Sequence, residues 1–397
     1  PDGNHLEESG GDGGMKWENV AIKDICTGIY DGPHATPPLS DTGAIFLGIS
    51  NFNNGRLDFS DIRYISEDDL PKWTKRVIPQ KNDIVFSYEA TLNLYAIIPE
   101  GFRGCLGRRM ALLRVDETKA DYKFLYYYFY SDAWRATVNE NIVLGATVDR
   151  IPLIKFPDFP VELPPLETQH RIADILSVYD ELIENNQKQI KLLEEAAQRL
   201  YKEWFVDLRF PGHENTKIVD GVPEGWIKEK IGKIIKKVHR TKQIVGSEYK
   251  DEGSIPIVDQ SRAFVAGYTN DLEARVDFGI PIIVFGDHTR IVKLIQFPFA
   301  KGADGTQLII SDCLEMPQRL LYCSIMNVDL SNYHYARHFK YLKEEKIMIP
   351  TVKVANEFEN NVTGIFSKIQ NCRDEIIRCQ KTRDLLLPKL MSGEVEV

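Results

Sequence analysis

Residues 166–209 read LETQHRIADILSVYDELIENNQKQIKLLEEAAQRLYKEWFVDLR, and this stretch decides the fold. Steps of four and three residues connect ten positions with one polar member: Ile172, Leu176, Tyr179, Ile183, Asn186, Ile190, Leu193, Ala197, Leu200 and Trp204. A 3.5-residue period predicts a coiled-coil seam, in which Asn186 is the buried polar residue that fixes register. Pro164 and Pro165 exclude earlier helix, Thr168 is the predicted cap, and Phe210-Pro211-Gly212 marks the far limit.

A second stripe of the same period lies near the C-terminus. Its members are Phe358, Val362, Ile365, Ile369, Cys372, Ile376, Cys379, Arg383 and Leu386. Pro388 is predicted to stop or kink this helix. Each seam needs a partner, so we expect the two helices to pair with each other. Leu192, Ala196 and Phe205 lie off the first seam, and we expect them to be exposed apolar positions that invite another chain.

Each seam follows a segment that mixes short β-branched runs with aromatic residues. The first segment opens WENVAIKDI at Trp17 and the second opens WIKEKIGKII at Trp226. Both end in an apolar run before proline, at 161–164 and 347–350. This self-similarity predicts a repeat of globule and long helix.

The predicted organisation is therefore α+β, with two globules and two long helices. Its boundaries are listed in chain order: a leader at 1–14 that does not belong to the natural protein, a first globule at 15–165, a helix at 166–209, a linker and second globule at 210–350, and a helix at 351–397. Within the globules we expect strands at 83–88, 94–98 and 281–285 and a helix at 122–134.

Composition limits the class of protein. The 397 residues suggest two or three domains, and 43% hydrophobic content excludes general disorder. We find neither a transmembrane run nor a signal peptide, and the six cysteines form no CxxC pair, so we expect reduced cysteines in a cytoplasmic protein. The net charge is −9, and four of the acidic residues stand in the leader. The charges of the remaining chain are closer to balance, which permits a local basic face.

Catalytic signatures are missing from the sequence. It holds no phosphate-binding GxxxxGK[ST], no GxGxxG turn, no HExxH helix and no GxSxG elbow. His334 and His338 have the spacing of a metal pair, but no acid or cysteine set accompanies them, so we interpret them as ordinary helix-surface histidines. We expect no catalytic residue and no metal site.

Glycine-rich turns beside basic and amide residues are the positive evidence. In the first globule the candidates for nucleic-acid contact are Ser87, Tyr88, Thr91 and Asn93 in one turn and Arg103, Arg108 and Arg109 among three glycines. Guanidinium and amide groups can fork onto phosphates or onto base edges. A solvated hairpin whose arginines pair with nearby acids is the competing interpretation.

In the second globule, polar residues follow an apolar strand, where a rigid scaffold presents a site. The candidates there are His288, Thr289, Arg290, Lys293, Lys301 and Thr306. A recognition surface is favoured over simple turn structure. General-base catalysis by His288 beside Asp287 is a third possibility, although no nucleophile pattern accompanies it.

Several of these stretches resemble one known family. They are DGPHATPP (31–38), DIVFSYEATLN (83–93), IPIVDQSRAFVAGYTND (255–271), IIVFGDHTRIVKL (282–294), FPFAKGADGTQLI (297–309), LPPLETQHRIADILSVYDELIENN (163–186) and LLLPKLMSGEVEV (385–397). Together they resemble the specificity subunits of type I restriction-modification systems, from Met15 to the end of the chain.

The resemblance implies a pseudo-two-fold protein in which two target-recognition domains each read half of a bipartite double-stranded DNA site. The antiparallel helices would set the spacing and dock two methylation subunits, through which restriction subunits attach. S-adenosylmethionine, ATP and Mg would serve those partners, with no cofactor bound by this chain. The first globule lacks the GDHTR and GADG patterns, so we expect the halves to read different DNA words. The alternative is a non-enzymatic protein-binding scaffold.

Overall fold

The computed structural model describes residues 17–144, 148–238, 241–302, 304–333 and 337–397. The predicted leader lies outside the described residues. The chain divides into two compact units, one formed by residues up to 183 together with 377–397 and the other by residues 184–376. Each unit contains one globule and one part of each long helix.

The first unit holds β1–β11 and α1–α3, after which the first long helix begins. The strands are β1 Glu18–Ala21, β2 Cys26–Asp31, β3 Ala44–Leu47, β4 Phe52–Asn53, β5 Arg56–Leu57, β6 Arg63–Ile65, β7 Ile84–Ser87, β8 Tyr95–Ile97, β9 Gly104–Leu106, β10 Met110–Val115 and β11 Pro160–Leu163. The helices are α1 Leu70–Trp73, α2 Tyr122–Tyr128, α3 Asp132–Asn141 and the long α4 Leu166–Tyr201, which continues as a π-helical turn at Lys202–Val206.

Two sheets organise this unit. One is antiparallel in the order β2-β10-β7-β8, and in the other β3 pairs with β6 antiparallel and with β9 parallel. An aromatic core that includes the fully buried Phe86, Phe124, Trp134 and Phe156 packs against the first sheet. The single helix expected at 122–134 is wrong, because Ser131 accepts a hydrogen bond from the Trp134 backbone N–H (3.2 Å) and so begins a separate helix, α3.

The second unit holds the remaining elements. The strands are β12 Ile218–Val219, β13 Val222–Pro223, β14 Ile227–Lys230, β15 Ile255–Val258, β16 Gly267–Thr269, β17 Arg275–Val276, β18 Ile282–Gly286, β19 Val292–Ile295, β20 Phe299–Lys301, β21 Thr306–Ile309 and β22 Lys346–Ile349. The helices are α5 Ile231–Ile234, α6 Gln318–Met326, α7 His338–Glu344 and the long α8 Val352–Met391.

The strand pairings of the first unit recur in the second. β14 pairs with β22 as β1 pairs with β11, so in both units the opening strand joins the apolar strand that precedes a long helix. β15 lies between antiparallel β16 and parallel β20, as β3 lies between β6 and β9. β18 lies between β19 and β21, as β7 lies between β8 and β10. The predicted repeat is confirmed.

The long helices pair antiparallel within each unit. In the first unit Asp180 of α4 pairs with Arg383 of α8, with 2.6 Å between Oδ1 and Nη1. In the second unit Glu194 pairs with Arg373 at 2.8 Å, and the ring of Tyr201 lies edge-on to Phe358. Every residue of both predicted seams is buried or half-buried. The coiled-coil prediction is therefore confirmed.

Three details of the helices differ from expectation. α4 begins at Leu166 rather than after a Thr168 cap, because the Pro165 carbonyl accepts the first helical hydrogen bond from Gln169 (3.0 Å). α8 runs through Pro388 to Met391, whose side chain packs in the core of the first unit. Phe205 is buried rather than exposed, since its ring packs against Trp226 and Phe358. As expected, all six cysteines are free thiols.

Candidate nucleic-acid interface

The β7–β8 turn of the first unit is held from inside by residues that the sequence placed on its surface. Ser87 Oγ donates to the Thr91 carbonyl, and Tyr88 Oη donates to the Arg108 carbonyl (2.8 Å). Both side chains are buried, and burial raises the pKa of Tyr88. Ser87 and Tyr88 are therefore corrected from surface contacts to residues that shape the turn and tie it to the arginine turn.

The rest of this hairpin reaches solvent. Thr91 is exposed, and Asn93 is half-buried with a left-handed backbone (φ 61°). Tyr95 Oη lies 3.4 Å from Asn93 Oδ1, at the limit of a hydrogen bond. Thr91 and Asn93 thus remain candidates that present hydroxyl and amide groups.

The three arginines of the first unit have different surroundings. Arg103 is exposed and binds the Glu67 carboxylate, with 3.1 Å from Nε to Oε2. Arg109 is half-buried, and its Nε lies 3.3 Å from Glu89 Oε1. Arg108 is exposed, and within the described part of the chain its guanidinium has no carboxylate partner. The interpretation as a solvated hairpin whose arginines pair with nearby acids therefore fits Arg103 and Arg109. Arg108 remains the candidate cation of this turn.

In the second unit the equivalent β18–β19 turn contains Asp287, which supports the fold. Its buried carboxylate accepts from the Phe339 backbone N–H (2.8 Å), and its carbonyl accepts from the His338 N–H (2.8 Å). This use of Asp287 at the start of α7 removes the support for a general base at His288. His338 is buried rather than on a helix surface; burial, followed by the charge of Arg290, lowers its pKa. His334 lies outside the described residues.

Gln260, which the sequence argument missed, joins the two polar turns of the second unit. Its Oε1 accepts from the His288 backbone N–H (3.1 Å), its Nε2 donates to the Asp304 carbonyl (2.7 Å), and its own carbonyl accepts from Thr289 Oγ1 (2.7 Å). A Cβ at Gly305, where φ is +86°, would stand 2.7 Å from Gln260 Nε2. The signal was present, because Gln260 follows the apolar strand β15 just as His288 follows β18.

The remaining candidates of the second unit divide into surface and interior. His288, Thr289 and Arg290 are exposed, and Arg290 has a left-handed backbone (φ 62°) and donates from Nη1 to the Leu330 carbonyl (3.1 Å). Lys301 is half-buried, and burial lowers its pKa. These four side chains remain candidates.

Lys293 and Thr306 do not remain surface candidates. Lys293 is 5% exposed, and its Nζ donates to the carbonyls of Asp259 (2.8 Å) and Ala263. Burial lowers its pKa to about 8. Thr306 is fully buried at the start of β21. The prediction that Lys293 and Thr306 contact nucleic acid at the surface is therefore wrong.

The described residues offer neither a metal centre nor a membrane span. They contain no cluster of three or more histidine, cysteine or acidic side chains that could hold a metal ion. No helix among them is long and apolar enough to cross a membrane.

Each unit therefore presents a hairpin turn at the end of a buried strand, next to a second turn that carries or adjoins a cation, Arg108 in the first unit and Lys301 in the second. The two hairpins occupy the same place in the strand order but carry different side chains. The structure thus defines a class of protein with two repeated α/β domains, each followed by a long helix and each carrying its own set of exposed polar turns.

Comparisons with known proteins agree with this class. The sequence profile of the type I restriction modification DNA specificity domain matches residues 15–195. The MjaIX specificity subunit of Methanocaldococcus jannaschii is 27% identical over 369 residues, which cover 84% of this chain and 82% of that protein. The EcoR124I/EcoR124II specificity subunit of Escherichia coli is 30% identical over 97 residues, 24% of each chain.

The fold matches as well. The crystal structure of the type I restriction-modification S subunit from M. genitalium superposes with a TM-score of 0.57 at 17% identity, covering 97% of this chain and 98% of that one. The chain is therefore similar to the specificity subunits of type I restriction-modification systems, in sequence over most of its length and in fold. These likenesses agree with the resemblance seen in the sequence and favour a non-catalytic DNA-specificity subunit over the scaffold alternative.

Proposed function

We propose that this chain recognises a bipartite double-stranded DNA target and that each unit reads one half of it. The equivalence of the β7–β8 and β18–β19 hairpins carries the proposal. The β7–β8 hairpin presents Thr91 and Asn93, with Arg108 on the adjacent β9–β10 turn, and the β18–β19 hairpin presents His288, Thr289 and Arg290. Side chains of different hydrogen-bonding capacity at equivalent positions support two different DNA words.

The long helices are the proposed docking surface for two methylation subunits. Leu192 of the second unit is 65% exposed and Ala196 is exposed beside it. In the first unit Val178 and Leu182 are exposed on the same helix. Apolar residues left outside an occupied seam favour a further helix or chain. Two such regions, one in each unit, support two partner copies.

The docking proposal has a direct test. Leu192→Glu with Ala196→Glu should abolish co-purification with the methylation subunit. Gln187→Glu with Lys191→Gln makes the same charge change elsewhere on the helix and should leave assembly intact. Full assembly and methylation by the first variant would contradict the docking proposal.

The chemistry then belongs to the partners. Methyl transfer from S-adenosylmethionine is assigned to the methylation subunits, and cleavage that depends on ATP and Mg to restriction subunits attached through them. The proposed contribution of this chain is sequence selection and the spacing of the two half-sites.

The spacing follows from helix length. The 36 residues of α4 at 1.5 Å each give about 54 Å, longer than one turn of DNA. Seven residues added to each long helix keep both seams in register and add about 10 Å, the length of two or three base pairs. The gap between half-sites should grow accordingly, with the half-words unchanged. An unchanged gap in an active complex would contradict the helices as the spacer.

DNA binding itself is tested on the assembled complex. The logarithm of the affinity for duplex DNA should fall linearly with the logarithm of the salt concentration, because phosphate contacts release counterions. A protein-binding scaffold would show no such dependence. Absence of duplex binding by the assembled complex at low salt would overturn the proposed function.

A further inference from the structure

Residues 70–78 of the first unit, LPKWTKRVI, contain three basic residues and no acidic one. Leu70 and Trp73 pack against the cluster formed by Phe46, Ile65 and Cys105, so helix α1 is fixed on the sheet. Thr74 Oγ1 donates to the Leu70 carbonyl (2.8 Å) at the end of the helix. The basic side chains Lys72, Lys75 and Arg76 are all exposed.

The three cations are differently engaged. Arg76 pairs with the Asp31 carboxylate and donates to the Gly32 carbonyl (3.3 Å), so it ties the segment to the DGPH loop. Lys72 Nζ lies 5.5 Å from the Trp73 ring centroid, a contact that leaves its charge available. Lys75 has no ion-pair partner within the described ranges. Two ammonium groups on a rigid support are therefore available for an anion.

This segment adjoins the candidate site. Lys72, Lys75 and Arg76 line a groove together with Gly32 and Leu106. The Gly32 N–H donates to the Met110 carbonyl (2.8 Å), and a Cβ at Gly32 would stand 2.2 Å from the Gly107 carbonyl oxygen. The groove thus ends beside the turn that presents Arg108. Its cations and Arg108 form one basic edge.

The equivalent segment of the second unit is more acidic, since residues 66–83 between β6 and β7 balance four acidic and four basic residues. Residues 271–280, between β16 and β18, read DLEARVDFGI, with three acidic residues and one basic. Lys242 is paired with Asp271 (2.7 Å) and Glu273 (3.0 Å). Glu273 has 82% of its side chain exposed. This edge of the second unit would repel a phosphate backbone.

We propose that Lys72 and Lys75 of this basic edge bind the phosphate backbone of the DNA flanking the first half-site, whereas Arg108 stays a candidate for contact with the half-site itself. The inference rests on the proposed DNA recognition and adds an asymmetry to it. Ammonium groups bind phosphates as point charges and carry no base information, so these two lysines anchor the duplex without selecting its sequence. The first unit then supplies a larger share of the salt-dependent affinity than the second.

The test uses the assembled complex with its methylation subunits and a duplex that contains the target. Lys72→Gln with Lys75→Gln should make the slope of log affinity against log salt shallower by up to about 2, since each phosphate contact contributes about 0.9. The ratio of affinities for target and scrambled DNA should stay the same. Lys72→Arg with Lys75→Arg should keep the original slope, which separates charge from folding.

A matched control removes two lysines that already have acidic partners. Lys81 lies 3.0 Å from Glu100 and Lys119 lies 3.7 Å from Asp116 in the same unit, and Lys81→Gln with Lys119→Gln should leave the slope unchanged. A wild-type slope in the Lys72 and Lys75 variant would overturn the anchor and leave the proposed function standing. Loss of subunit assembly with an unchanged slope would assign the edge to a protein partner instead. No DNA binding by the wild-type complex would overturn both.

Discussion

In the first unit a buried tyrosine hydroxyl holds the polar turns in place, whereas in the second unit the side-chain amide of a glutamine holds the equivalent turns. Tyr88 reaches from the β7–β8 turn to the carbonyl of Arg108, and Gln260 reaches from the end of β15 to the turns of His288 and Asp304. The strand order is shared but the bracing residues are not. A common scaffold can therefore hold exposed side chains that differ freely between the two units.

The helices show a second difference between the units. In the first unit Asp180 accepts from Tyr127 Oη (2.6 Å) as well as from Arg383, and burial followed by the Asp180 charge raises the pKa of Tyr127. In the second unit Glu194 has 40% of its side chain exposed, and its partner Arg373 also lies 3.7 Å from the Phe264 ring centroid. Removing Asp180 would therefore break the contacts to both Tyr127 and Arg383, whereas removing Glu194 would break the contact to Arg373.

The largest expected effect separates these two ion pairs. Asp180→Ala leaves the Arg383 guanidinium largely buried without its main partner and should lower the free energy of unfolding by about 3 kcal/mol. Glu194→Ala should cost less, about 2 kcal/mol, because that side chain is 40% exposed, although its removal still leaves the largely buried Arg373 without its acidic partner. Urea denaturation followed by circular dichroism measures both. Asp180→Asn with Arg383→Met should recover part of the loss, and equal losses for the two single variants would contradict the difference.

The bracing residues give the next effect. Tyr88→Phe and Gln260→Ala each remove hydrogen bonds that hold a turn, so each should weaken DNA binding by about 1 kcal/mol with little change in stability. Competition with duplexes altered in one half should show that Tyr88→Phe affects only one half-word and Gln260→Ala only the other. The exposed Gln187→Ala on α4 is the control. A loss of selectivity for the same half in both variants would refute separate bracing.

The last expected effect is at Lys293, and it appears only as pH changes. Its folded pKa of about 8 lies below the ordinary 10.5, so between these values the unfolded chain binds more protons and stability rises with pH. From pH 8 to 9.5 the Lys293 contribution should grow by about 1.5 kcal/mol. Lys293→Met should remove this rise, as urea denaturation at both pH values would show. The same rise in the variant would rule out Lys293 as its source.

The long helices were predictable because the 3.5-residue spacing of apolar residues is visible in the sequence itself. Counting in steps of four and three from Ile172 and from Phe358 was enough to find both seams. Side-chain direction in the turns was not predictable. In the sequence, Ser87 and Tyr88 look like exposed polar residues of a turn. In the structure their hydroxyls donate to the carbonyls of Thr91 and Arg108.

Two further residues show why distant contacts decide the site. A lysine in a strand is ordinarily a surface residue, yet Lys293 is buried because the chain near residues 259–263 supplies two carbonyl acceptors. Gln260 has its role because strands β15 and β18 bring its turn beside His288. Such partners lie about 30 residues away and leave no periodic signal in the sequence.

The central claim is that each unit reads its own half of one bipartite target. Methylated-site mapping of DNA exposed to the assembled complex tests it most directly, with wild type, Arg108→Ala and His288→Ala compared side by side. The claim predicts two half-words at a fixed gap for wild type, relaxation of one half-word by Arg108→Ala and of the other by His288→Ala. A continuous target, or relaxation of the same half-word by both variants, would contradict it.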